Sequence, residues 1–83
     1  MEDRPNGALT PNETLDVKGA ACPIPVVKTA KTMKTLSTGD VLEIFATDPG
    51  VEPDMKAWTK QTGNELLSID RDGDVFRVLV RKS

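Results

Sequence analysis

The 83-residue chain has no histidine, no tyrosine, a single cysteine and only three aromatic residues, one Trp and two Phe. Without histidine there is no Cys-His pair to activate a hydrolytic nucleophile, and a structural zinc site would lack its usual ligands. No metal and no cofactor is expected. One cysteine can neither close an internal disulfide nor resolve one formed with a substrate, which excludes an autonomous dithiol oxidoreductase. The fold must therefore rest on burial rather than cross-links, and a reducing, cytoplasmic compartment is the expectation. No apolar run approaches the roughly 20 residues that span a bilayer. The acidic, polar N-terminus does not resemble a signal peptide, so no membrane association is expected.

Positive charge is also scarce overall, with 11 Lys and Arg against 13 Asp and Glu. A net charge of −2 and few aromatics argue against direct nucleic-acid binding, which needs basic surface or stacking platforms. The charge is uneven, however. Lys18, Lys28, Lys31 and Lys34 lie between Val17 and Gly39 with no acid among them, giving +4 there and 7 − 13 = −6 elsewhere.

What is present reads as one small domain. Residues 1–12 mix Pro, Gly, Asn and charges without periodicity and read as a flexible tail, leaving 13–83 as the folded unit. Glu13 to Lys18 alternates as a half-buried strand. From Pro23 to Leu36, Val26, Val27, Ala30, Met33 and Leu36 recur at helical spacing. Val41 to Thr47 is β-branched and aromatic enough for a buried strand. A short helix follows from Glu52-Pro53-Asp54, with Met55 and Trp58 on one face and Gly63 to stop it. Trp58 is read as core. Glu65 to Arg71 and Asp74 to Lys82 form a hairpin around Asp72-Gly73. The order β-α-β-α-β-β, with one apolar stripe per helix, predicts an α/β (α+β type) two-layer sandwich with both helices on one face of a four-stranded mixed sheet.

The cysteine stands in Gly19-Ala20-Ala21-Cys22-Pro23-Ile24-Pro25. Prolines are tolerated in a first helical turn, where amide protons have no intrahelical partner, so Pro23 and Pro25 fix where the helix begins. Ile24, preceding a proline, is expected to leave helical dihedrals. Cys22 then sits at the helix start, where free N–H groups and nearby cations favour a thiolate. Two readings stay open on these residues: a reactive thiol that accepts a group and passes it on, or a structural cysteine in a non-catalytic interaction or regulatory module. Asp16 and Gly19 are read as supporting the turn before Cys22, and Lys18, Lys28, Lys31 and Lys34 as a docking surface for acidic partners.

The stretch Cys22-Pro23-Ile24-Pro25 resembles the CPxP motif of the TusA/SirA family of small sulfur-carrier proteins. The likeness extends through Leu15-Asp16, Gly39-Asp40, Asp48-Pro49, Thr62-Gly63 and the hydrophobic last strand. It implies a two-layer α/β fold and a persulfide carried on Cys22. Sulfur would come from a protein donor such as a cysteine desulfurase or a rhodanese-like protein. It would pass to a protein acceptor, DsrE-like or a thiolation enzyme, in tRNA thiolation, molybdenum-cofactor biosynthesis or dissimilatory sulfur metabolism. A monomer is expected. Many relatives carry a second cysteine and a histidine near the end of the second helix; Thr59 and Asn64 stand there in this chain.

Overall fold

The computed structural model describes residues 11–83. Its elements are β1 (Glu13–Val17), α1 (Ile24–Met33), β2 (Val41–Ala46), α2 (Val51–Thr62), β3 (Glu65–Asp72) and β4 (Val75–Arg81). The sheet order is β1-β2-β4-β3. β1 pairs parallel to β2, and β4 pairs antiparallel to both β2 and β3. A parallel neighbour requires a crossover, supplied by α1, whereas β3 and β4 need only the tight turn at Gly73. The two helices cover one face of this mixed sheet.

Burial explains the order. β2 is central and nearly continuous in apolar residues, with Leu42, Ile44 and Ala46 wholly buried beneath the helices. Val17 from β1, Met33 from α1, Val51 and Met55 from α2, and Phe76, Val78 and Val80 from β4 complete the core. The opposite sheet face is polar but not bare: Val41 and Leu79 are buried there, and Glu43 pairs with Arg77 at 2.5 Å while accepting from Thr14 at 3.0 Å. The alternation of β4 thus places Leu79 beside the arginines, where long polar side chains cover it.

The helices depart from the apolar count in instructive ways. The face of α1 against the sheet is Pro25, Thr29 and Met33, while Val27 is 45% exposed and lies off the stripe. Thr29 can be buried because its hydroxyl donates to the Pro25 carbonyl at 2.7 Å; Thr59 does the same toward Met55 at 2.8 Å. Ile24 is helical despite preceding a proline, as its amide donates to Ala21 and the turn is already closed. The helix ends at Met33 rather than Leu36, and the next residues tighten into bonds three residues back, Thr35 to Thr32 and Leu36 to Met33. Gly63 stops α2 with φ +81°, its amide donating to Thr59, a left-handed closure that suits glycine.

Of the expected tail, residues 1–10 lie outside the described residues. Asn12 is tied to the sheet, donating its amide to Val41 and accepting the Val41 amide on Oδ1, each at 2.8 Å.

Candidate functional site

Because β1 and β2 run parallel, the loops that leave them emerge at the same end of the sheet. The first loop carries Cys22 and the second carries Asp48. The Gly19 amide (φ +86°) donates to Thr47 Oγ1 at 2.9 Å, and the Cys22 amide donates to Asp48 Oδ2 at 3.0 Å, so the two loops are stitched together. Asp16 accepts the Lys18 amide at 3.0 Å, closing the turn that leads out of β1. Pro23 then occupies the N-cap of α1 and Pro25 is buried in its first turn.

Cys22 is exposed and free. Its side chain opens onto a groove of about 230 Å³ between α1 and α2, lined by Pro23 and Val26 on one side and Asp54, Ala57, Trp58 and Gln61 on the other. Sγ donates to Asp54 Oδ2 in the first turn of α2. Trp58 is half-buried: it packs against the core, as its helical spacing suggests, and its outer surface also walls this groove and a neighbouring one toward Lys34 and Lys82.

Gly50 makes this closeness possible. Its backbone is ordinary helical, so its value is space: a Cβ there would stand 3.0 Å from Asp48 Oδ2 and 3.4 Å from the Cys22 Cβ. In sequence, Asp48, Gly50 and Asp54 read only as turn and helix-start residues. It is the parallel β1-β2 pair that brings them to Cys22.

The electrostatics correct an expectation. Sequence neighbours suggest a thiol among cations, yet the charged side chain in its groove is a carboxylate. The Asp54 hydrogen bond, then loss of solvation, then the charges of Asp54 and Asp48, hold the Cys22 thiol above its ordinary value. No lysine lines the groove of Cys22. Lys28, Lys31 and Lys34 lie along α1, whereas Lys18 sits over the other face of the sheet, 3.9 Å from Asp16 and 5.8 Å from the Phe45 ring. The four lysines are therefore not one patch.

A pH dependence results. The native thiol keeps its proton to higher pH than the unfolded one, so between the two values the unfolded chain binds fewer protons and stability falls as pH rises. Below the ordinary thiol value both states are protonated and the contribution is complete. Urea midpoints of wild type and Cys22→Ser should diverge above about pH 8, wild type losing more. A wild-type midpoint that gained on the variant as pH rose toward about 8, and levelled off above it, would mean a stabilised thiolate instead.

A two-layer α/β domain that presents one exposed thiol on a proline-bounded helix start defines a small thiol-bearing protein module. The chain belongs to the family described as sulfurtransferase TusA, whose model matches residues 13–82. It is 43% identical over 72 residues to the sulfur carrier protein TusA of Allochromatium vinosum, covering 87% of this chain and 95% of that one. It is 53% identical over 68 residues to YrkF of Bacillus subtilis, covering 82% of this chain but 37% of that longer protein. A crystal structure of a SirA-like protein from Desulfitobacterium hafniense superposes with a TM-score of 0.74 at 23% identity, over 83% of this chain and 95% of the other, and shares its fold.

Thr59 and Asn64, where the family resemblance would place a second cysteine and a histidine, are structural here. Thr59 is buried and bonded within α2. Asn64 accepts the Ser83 amide at 3.0 Å and donates to Thr62. Neither lines the groove of Cys22.

Proposed function

We propose that the chain is a sulfur carrier, holding sulfane sulfur as a persulfide on Cys22 between a donor protein and an acceptor protein. The observation that carries this reading is the exposed thiol at the open end of the α1-α2 groove in a chain of this family. In loading, Sγ attacks the outer sulfur of a donor persulfide. The S–S bond within the donor breaks, and the products are Cys22–S–SH and the donor thiol. A cysteine desulfurase or a rhodanese-like protein fits as donor; a DsrE-like protein or a thiolation enzyme fits as acceptor. These partners place the work in the cytoplasm, in tRNA thiolation, molybdenum-cofactor biosynthesis or dissimilatory sulfur metabolism, with a monomeric carrier.

Docking has a physical basis next to the thiol. Ile24 and Val27 are 43% and 45% exposed on the outer side of α1, and Lys28 and Lys31 continue the same surface. An apolar centre with a basic rim suits a partner whose own surface is apolar and acidic. Asp16 and Gly19 support the turn, and Pro23 and Pro25 the helix start, that present the sulfur.

The test is intact mass after incubation with a cysteine desulfurase and cysteine. The protein should gain about 32 mass units, reversibly under reductant. No gain, together with a thiol inert to alkylation, would instead make this a non-catalytic interaction module with a structural cysteine.

A further inference from the structure

The neighbour of the thiol is a carboxylate, and carriage of sulfur gives that neighbour work to do. Among the described residues, Asp54 is the only charged side chain lining the groove. Its carboxylate accepts from Sγ and has no ion pair among the described residues. Asp48 approaches from the β2-α2 loop but binds the Cys22 amide rather than the sulfur. Glu52, on the same turn of α2 as Asp54, is paired with Lys56 at 3.5 Å. From α1 and its N-cap only Val26 and Pro23 line the groove, so no cation among the described residues offsets Asp54 there.

We propose that Asp54 governs the proton on Cys22: it holds the sulfur of the empty carrier as a neutral thiol and receives its proton when that sulfur attacks a donor. This rests on the carrier reading. In the step, a lone pair on Sγ forms the bond to the outer sulfur of the donor persulfide while the proton passes to the Asp54 carboxylate. The S–S pair of electrons leaves with the inner sulfur of the donor, and the departing thiolate takes the proton from Asp54. Donor persulfide and Cys22 thiol become donor thiol and Cys22 persulfide, with no outside oxidant or reductant. The raised thiol value is consistent with this contact. A loaded persulfide is more acidic than the thiol, so it becomes an anion beside an anion and is turned away from Asp54 toward the groove mouth.

The experiment follows alkylation of Cys22 by neutral iodoacetamide from about pH 6 to about pH 10 in the full chain, using wild type, Asp54→Asn and Asp48→Asn. Loading from a cysteine desulfurase is measured alongside, and cooperative thermal melts confirm folding. Asp54→Asn should move the alkylation midpoint to lower pH and speed alkylation at neutral pH about fivefold. Asp48→Asn should move it less, because that side chain does not touch Sγ. Asp54→Glu, which keeps the charge, should stay nearer wild type and covers the case in which the asparagine variant misfolds. Loading of Asp54→Asn, divided by its thiolate fraction, should fall.

An Asp54→Asn profile that overlays wild type, or an equal shift in Asp48→Asn, would overturn the proposal. Loading that rose in step with alkylation would overturn the proton-receiving step. Iodoacetamide needs no donor: an unshifted profile beside normal loading would remove the role of Asp54 and leave the carrier. A shifted profile in a protein that never loads would remove the carrier, and the transfer step with it.

Discussion

Cys22→Ser should abolish sulfur loading while leaving the melting temperature close to wild type. No other residue of the chain can form a persulfide, since Cys22 is its only cysteine. The hydroxyl that replaces it is a poor nucleophile toward sulfane sulfur. The fold should tolerate the change because the side chain is exposed and outside the core. Its backbone amide keeps the bond to Asp48, and a serine hydroxyl can donate to Asp54 in place of the thiol. Surface substitutions of this kind stay within about 0.5 kcal/mol. Intact mass and a thermal melt on the same sample check both halves. A sulfur adduct on the serine variant would remove Cys22 from the chemistry, and a collapsed melt would mean that the cysteine is structural.

On the proposed carrier role, a chain with a single cysteine has no second thiol of its own to release the sulfur it holds. Cys22 is the only cysteine, so under that proposal no internal disulfide can expel the sulfur. Discharge of the proposed persulfide would then depend on a nucleophile from the acceptor reaching its outer sulfur. The groove at Cys22, open between α1 and α2, gives such a nucleophile a path along Trp58 and Val26. Under that proposal the thiol, the carboxylate beside it and the approach route all lie between the start of α1 and the first turns of α2.

Much of this is legible in the chain itself. Apolar periodicity separates helices from strands, and the two prolines locate the start of α1 and hence Cys22. The contacts that tune the thiol are not legible. Cys22 lies 26 residues before Asp48 and 32 before Asp54, so only the parallel β1-β2 pairing joins them. Read locally, Asp54 is an acid in a first helical turn, as the macrodipole favours. Basic residues nearby in sequence suggest a thiolate, but helical spacing carries Lys28 and Lys31 along α1, away from the groove. Counting apolar types puts Val27 wrongly on the buried stripe of α1, because threonine counts as polar, whereas Thr29 satisfies its hydroxyl on its own helix and can be buried. Gly50 looks like a turn residue, and only the packing of two carboxylates and a cysteine around it reveals that a Cβ there would be crowded.

Ile44→Ala should cost more stability than any surface change in the molecule. Ile44 is wholly buried at the centre of β2, paired with Leu15 on one side and Val78 on the other. It lies in the core with Leu42, Met55 and Val80. Removing its outer carbons forfeits their burial and leaves a void that a central strand, held by two ladders, cannot collapse to fill. Such substitutions cost about 2–5 kcal/mol, against a total of about 5–10 kcal/mol for a small domain. At roughly 4–8 °C per kcal/mol, the melting temperature should fall by about 10 °C or more. Val27→Ala is the matched comparison: it also removes methyl groups from a β-branched residue, but one that is 45% exposed, and it should change stability by under about 0.5 kcal/mol. Urea unfolding with an unchanged slope would confirm that Ile44→Ala acts on the native core. Equal midpoints for the two variants would mean that the sheet face beneath the helices is not the core, and with it would go the account of how β1 and β2 hold Cys22 against α2.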